Sequence, residues 1–216
     1  MSDHPLVQLP TRSTPQPSPG ILPGGDCAYC CLSGIMGISV LEAYEHVDKL
    51  RKEEGQTRLG KDRNSLSNHC FSIVAEYWNE EIRSDRRYRQ AAEIFAVPEL
   101  MNVHPMRQMY GAPSWEMSST WFESVYATLD RKYVLMASID FEGKGPRKHS
   151  CGGTNHAVLI VGAYTKLRAH EKVPGAYHVD QMLQISCSVR GLWEIETYDF
   201  LFDYGGFNCV PFLLRG

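Results

Sequence analysis

The sequence lacks three features that would each define the class of the protein. Its longest apolar run, Ala157 to Ala163, is far shorter than the roughly 20 residues of a membrane-spanning helix. It lacks an excess of basic charge, because 22 basic residues stand against 25 acidic ones and the net charge is −3. The N-terminus also lacks the apolar segment of a secretory signal. We therefore expect a cytoplasmic protein that contacts neither membrane nor nucleic acid.

A disulfide framework is also not expected. The chain has seven cysteines, an odd number, and their spacing fits no small disulfide scaffold, which favours reduced thiols in a reducing compartment. A zinc cluster of Cys30, Cys31, His149 and Cys151 is the metal alternative. The pair His149 and Cys151 is too closely spaced for a usual zinc site, and adjacent cysteines are poor ligands together. We expect neither a metal nor a cofactor.

The length and the order of the patterns predict one α+β domain. Residues 1–23 are rich in proline and serine and are expected to be a disordered tail, and residues 24–216 are expected to form a single domain. Helical patterns come first and strand patterns last. The predicted helices cover about 27–37, the segment after Ser39, 65–78, 86–95 and 121–130, and Ser39 with Glu42 is expected to form a capping box at the start of the second helix. The predicted strands cover 133–139, 156–163, 177–186, 192–198 and 209–214, with a short helix at 198–204.

The segment from Gly24 to Met36 contains the first candidate catalytic residue. Asp26 is typical of a helix N-cap, and Cys27 then falls in the first turn of an apolar helix. The positive end of a helix dipole favours the thiolate, which is the nucleophilic form of cysteine. Cys30 and Cys31 follow on the same inward side. Cys27 is therefore the leading candidate nucleophile.

His156 is the second candidate. It follows a glycine-rich loop, 142–154, and begins the strongest strand pattern of the chain. A histidine at the mouth of a buried strand is both fixed and reachable, and imidazole can activate a thiol. Cys27 and His156 would then be a nucleophile and base brought together by folding.

A third group usually orients such a histidine. If strands 156–163 and 177–187 form a hairpin, residue 156 lies opposite 185–188, and Asp180 lies at the far end, opposite about 163. The orienting role then falls on Ser186, on Cys187, or on Asn208 from a later loop.

These motifs resemble papain-like cysteine peptidases of the bacteriocin-processing (double-glycine) branch. The resemblance covers about 25–37 and 120–205. In the first range it includes Asp26-Cys27 and the helix of small residues that follows. In the second range it includes the helix and basic turn before strand 133–139, Asn155-His156 with its strand, and Gln184 to Cys187 followed by Trp193 to Leu201. It implies a papain-like fold, in which an N-terminal helical lobe with the nucleophile helix packs on a C-terminal antiparallel sheet.

The chain departs from that family at two positions. The family carries Asp or Asn where this chain has Cys187. The family also has a glutamine before the nucleophile that donates a hydrogen bond to the oxyanion. The only nearby candidate for this role in the chain is Gln16 in the tail. Without it, the backbone N–H groups at Asp26-Cys27 and their neighbours would donate to the oxyanion. A papain-like Cys-x-x-Cys-aromatic box would make Cys30 the nucleophile, but Cys31 stands where the aromatic residue would be.

The sequence thus predicts a cysteine-dependent hydrolase, peptidase or acyl transferase. It would act on an amide, isopeptide or thioester bond of a peptide or protein substrate, or of a small molecule. Two alternatives stay open. One is a catalytically degenerate papain-like binding module. The other is a thiol–disulfide oxidoreductase that uses Cys27 and Cys30.

Overall fold

The structure is a computed structural model that describes residues 4–8, 27–53, 68–84, 115–139, 156–206 and 209–214. Helices mostly precede strands, so the predicted α+β class is confirmed. In chain order the elements are β1 (Val7–Gln8), α1 (Cys27–Met36), α2 (Val40–Glu53), α3 (Asn68–Ser84), α4 (Trp115–Asp130), β2 (Tyr133–Ile139), β3 (His156–Ala169), β4 (Tyr177–Cys187), β5 (Gly191–Glu196), α5 (Thr197–Phe202) and β6 (Cys209–Leu213).

An antiparallel sheet with the strand order β5-β4-β3-β2-β6 forms the centre of the described structure. Every residue of β2 is buried, and so is the first half of β3, which matches their nearly continuous apolar sequences. Helix α1 packs against β3, α4 packs against β2 and β3, and α3 packs against β6. Helices α1 and α4 thus cover β3, the central strand of the sheet.

Helix α1 is a core helix with a well-defined end. All its residues after Cys27 are buried. It ends at Met36 because Gly37 adopts φ +68°, a left-handed conformation that suits glycine, and the N–H groups of Gly37 and Ile38 both donate to the carbonyl of Ser33. Ser39 and Glu42 then exchange backbone–side-chain hydrogen bonds of 2.7 and 3.2 Å, which confirms the capping box expected before α2.

In the part of the chain that the structure describes, helix α3 covers the outer edge of strand β6. The side-chain amide of Asn79 donates to the carbonyl of Pro211 and accepts from the N–H of Leu213. The indole of Trp78 donates to the carbonyl of Leu213 at 2.8 Å. One buried side chain thus satisfies two backbone groups of the strand, as a neighbouring peptide unit would.

The described part of the tail corrects the expectation of disorder. Residues 7 and 8 pair with Ala163 and Gly162 of β3. They lie on the same side of β3 as β2, after the last pair of the two strands, Leu135 with Ile160. The imidazole of His4 stacks near Tyr126 and forms a 2.8 Å contact with Glu123 of α4. These long-range contacts hold residues 4–8, and a local sequence pattern does not reveal them. Residues 9–23 lie outside the described residues.

Two element boundaries and one strand register also differ from the sequence expectation. Helix α3 spans Asn68–Ser84 rather than 65–78, and β3 continues to Ala169. Asp180 lies opposite Lys166 rather than near 163, because the hairpin pairs Leu159 with Ser186 and an irregularity between Ile160 and Gly162 shifts the register by one further residue. The helix expected at 86–95 and the loop 142–154 lie outside the described residues.

Among the described helices, no single one is long and apolar enough to cross a membrane; α1 and α2 together pass that test of length and composition, with a bend of 96° between them.

Candidate active site

His156 and Cys187 form the centre of the candidate site. The Nε2 atom of His156 lies 3.1 Å from the Sγ atom of Cys187, and both side chains are buried. Their elements explain the contact, because His156 begins β3, Cys187 ends β4, and the two strands pair as an antiparallel hairpin. The sequence expectation that residues 185–188 supply the neighbour of His156 agrees with this geometry.

The sulfur of Cys187 is surrounded by hydrogen-bond donors. The chain turns directly after β4, and the backbone N–H groups of Val189 and Arg190 both donate to the Cys187 sulfur at 3.3 Å. Together with the His156 ring, three nitrogen atoms converge on one sulfur. This arrangement fixes the sulfur and, through it, the rotation of the imidazole ring.

One thiol of α1, that of Cys31, interacts electrostatically with Cys187 of this pair and with the other two thiols of the helix. Cys27, the first residue of the helix, is partly exposed, whereas Cys30 and Cys31 are fully buried. Burial raises the pKa of the Cys31 thiol well above its ordinary value, and the neighbouring sulfurs of Cys27, Cys30 and Cys187 raise it further. Cys31 is therefore within electrostatic reach of both the helix thiols and the sulfur that contacts His156. Its own thiol stays protonated and is a poor nucleophile.

The environment of His156 favours neutral imidazole. Burial lowers the pKa of His156 below its ordinary value of 6.5, and the nearby Arg190 guanidinium lowers it further. At pH 7 the ring is therefore an acceptor at one nitrogen and a donor at the other. A neutral imidazole is suited to take a proton, as a general base does.

The lowered pKa of His156 predicts a pH-dependent stability. Because the unfolded chain binds this proton more readily than the folded one, the contribution to stability is complete above about pH 6.5 and is lost as the pH falls through the lower folded-state value. Urea unfolding at pH 7.5 and at pH 5.5 measures the loss. We expect His156→Gln to lose less stability between these pH values than the wild type. An exposed-histidine control, His170→Gln, should match the wild type; equal losses in all three proteins would contradict the prediction.

Ser186, the other described candidate for orienting His156, does not face it. Ser186 precedes Cys187 on β4, so its side chain lies on the opposite face of the sheet, and its buried hydroxyl has no hydrogen-bond partner among the residues that the structure describes. Asp180 is buried at the far end of the hairpin, where it contacts Arg168 at 2.8 Å and His178 at 3.1 Å. Asp26, Gln16 and Asn208, which were expected to cap the helix, bind the oxyanion and orient the histidine respectively, lie outside the described residues.

Sequence reasoning missed the residues that flank the pair. Trp193 lies opposite Ile185 on β5, and therefore on the same face of the sheet as Cys187, whose own partner is Gly191. Gly191 has φ +72° and carries no side chain, which leaves space beside the Cys187 sulfur. One feature of the sequence could have indicated these residues. Gly191 follows Cys187 closely and predicts a turn, and such a turn brings Arg190 and Trp193 close to the end of the predicted strand.

Within the described ranges, no group of three or more His, Cys, Asp or Glu side chains is arranged to hold a metal ion. The zinc alternative depended on His149 and Cys151, which lie outside those ranges. Comparisons of the chain with family models, with curated proteins and with solved structures found no match. The site is an imidazole–thiol pair at one end of an antiparallel hairpin, with the Cys31 thiol of α1 within electrostatic reach of the Cys187 sulfur.

Proposed function

We propose that the protein is a cysteine-dependent hydrolase or acyl transferase with a papain-like arrangement of its site. Cys27 is the nucleophile, His156 the general base, and Cys187 the residue that positions the histidine. The observation that carries the proposal is the 3.1 Å contact between Nε2 of His156 and the Cys187 sulfur, together with the electrostatic interaction of the Cys31 thiol of α1 with both Cys27 and Cys187. The substrates would be peptides, proteins or small molecules with an amide, isopeptide or thioester bond.

In the proposed mechanism the contact with Cys187 selects the tautomer of His156. When Nε2–H donates to the Cys187 sulfur, Nδ1 carries the lone pair and can accept a proton from a second group. Nδ1 then accepts the proton of the Cys27 thiol while the sulfur attacks the substrate carbonyl. The same proton is returned to the leaving group, and water or an amine releases the acyl group from Cys27. The lowered pKa of His156 keeps the ring in the form that starts this sequence.

Accessibility favours Cys27 over Cys30 as the nucleophile. Cys27 is partly exposed at the first helical position, where the N–H groups of a helix start lack acceptors within the helix and the dipole stabilises negative charge. Cys30 is fully buried one turn later. The backbone N–H groups at the start of α1 would also serve as donors to the oxyanion.

Alkylation with a small electrophile tests the proposal. In a short pulse of iodoacetamide at pH 7, we expect Cys27 to be modified first, because it combines exposure with activation by a helix start and a base. Peptide mass spectrometry after the pulse identifies the modified residue. Cys27→Ala should lose the fast modification, and Cys30→Ala, the matched control, should retain it.

Two outcomes would contradict the proposal. Equal, slow labelling of all exposed thiols near their ordinary reactivity would favour a degenerate binding module. A reversible Cys27–Cys30 disulfide with a defined reduction potential would favour the oxidoreductase alternative.

A further inference from the structure

Arg190, Trp193 and Tyr204 form a cluster beside the His156–Cys187 pair. The centre of the Arg190 guanidinium lies 5.6 Å from the centroid of the Trp193 ring. Its Nη1 atom donates a long hydrogen bond of 3.5 Å to the Tyr204 hydroxyl, and the rings of Trp193 and Tyr204 are 5.4 Å apart. The flexible arginine is thus held by an aromatic face and a hydroxyl, which reduces the entropy it would lose on binding a ligand.

The cluster is tied to the candidate site through its backbone. The N–H of Arg190 donates to the same Cys187 sulfur that contacts His156, at 3.3 and 3.1 Å respectively. Trp193 shares a face of the sheet with Cys187, and Gly191 between them leaves that face open. The Arg190 charge also acts on His156 directly, since it lowers the pKa of the imidazole.

The side chains around this cluster are suited to an anionic ligand. Guanidinium groups bind carboxylates through two parallel hydrogen bonds, and Arg190 is exposed. The indole N–H of Trp193 has no acceptor within the described part of the chain, but it is buried, so Arg190 is the donor of the cluster that a ligand can reach. The neighbouring carboxylate on β5, Glu194, points to the other face, where Gln184 donates to it at 3.1 Å. Val189 and Leu192 expose apolar side chains on the same turn.

We propose that Arg190 is the specificity-determining residue of this site and binds a carboxylate carried by the substrate near the bond under attack. The preferred substrates are therefore acyl compounds or peptides with a negative charge close to the reacting carbonyl. This inference depends on the proposed function, because it assumes that Cys27 is the reacting thiol. It adds the class of substrate, which the Cys–His chemistry alone leaves open.

A matched pair of small electrophiles tests the charge preference. Iodoacetate and iodoacetamide differ by one carboxylate, and the ratio of their alkylation rates at Cys27 measures the preference while cancelling the reactivity of the thiol itself. The measurement is made at pH 8, where His156 is neutral. We expect Arg190→Gln to lower the iodoacetate-to-iodoacetamide ratio about fivefold, the effect of removing one nearby unit charge at moderate screening.

Two control variants separate charge from other effects. Arg190→Lys keeps the charge and should retain a ratio between those of the wild type and Arg190→Gln. Lys172→Gln removes an exposed cation at the far turn of the hairpin and should leave the ratio unchanged. A ratio that is the same in the wild type and Arg190→Gln, or one that falls equally in Lys172→Gln, would overturn the inference.

A second pair of electrophiles distinguishes the source of the carboxylate. The iodoacetyl derivatives of glutamic acid α-amide and glutamine α-amide differ only at the side chain. A preference for the glutamic acid derivative that is lost in Arg190→Gln assigns the carboxylate to an acidic side chain. A preference confined to iodoacetate assigns it to a group directly beside the reacting carbon. If Cys27 reacts with none of the probes, the proposed function itself fails, whereas equal reaction with charged and neutral probes overturns only the role of Arg190.

Discussion

In the His156→Ala variant, we expect the alkylation of Cys27 by iodoacetamide at pH 7 to become about 100-fold slower, the lower end of what general-base catalysis contributes. The reason is the neutral imidazole, which the structure holds by its contact with Cys187 and which would accept the Cys27 proton. Stopped-flow or quenched labelling with mass spectrometry measures the rate constant for that residue. Circular dichroism establishes that the variant is folded.

Three further variants make this result specific. Cys187→Ala removes the group that orients the ring and should cost about tenfold, because a general base depends on its alignment. Ser186→Ala changes the adjacent residue on the opposite face of the sheet and should have no effect. His170→Ala removes an exposed histidine at the far turn and should also have none. A wild-type rate in His156→Ala would show that Cys27 is not activated by this histidine.

The second large effect is on stability. Replacing Gly206 by alanine is expected to lower the free energy of unfolding by about 3 kcal/mol, the upper part of the usual range for overpacking a core. An added Cβ would lie within 2.6 Å of three carbons of the Phe200 ring, which is fully buried and therefore cannot move aside. The Gly206 N–H also donates to the Phe200 carbonyl, so the backbone is held there as well. Denaturant unfolding followed by tryptophan fluorescence measures the change.

Gly175→Ala is the control for this prediction. Gly175 has φ +80°, but an added Cβ would have no neighbour within 4 Å, so only the backbone strain remains, about 1 kcal/mol. Equal effects of the two substitutions would mean that the contact with Phe200 is not the cause.

Local sequence patterns predicted most of the described sheet. The apolar runs at 133–139 and from 156 onward are buried strands because each has the nearly continuous apolar sequence of a strand covered on both faces. The returning strand to Cys187 mixes polar and apolar residues and is buried only in its second half. The exchange of hydrogen bonds between Ser39 and Glu42 was equally readable, since a capping box depends on residues three apart. Where the signal is local, the prediction and the structure agree.

The features that sequence reasoning missed depend on long-range contacts. The irregularity between Ile160 and Gly162 changes which residues face each other, and a hairpin drawn without it misplaces Asp180. The two-residue strand β1 is too short for any periodicity. At the site, the neighbourhood of His156 and Cys187 follows from pairing the two strands, but the approach of Arg190 and Trp193 depends on the turn at Gly191, whose shape a linear pattern does not give.

The side chain of Asn79 has a consequence for the behaviour of the protein in concentrated solution. An outer strand with unsatisfied backbone groups can recruit a strand from another molecule and begin a growing assembly. Here the carbonyls of Pro211 and Leu213 and the N–H of Leu213 already have partners in α3, and Pro211 has no N–H to offer. The side chains of Asn79 and Trp78 therefore protect this edge of the sheet, at Pro211 and Leu213 of β6, against the addition of a strand from another molecule.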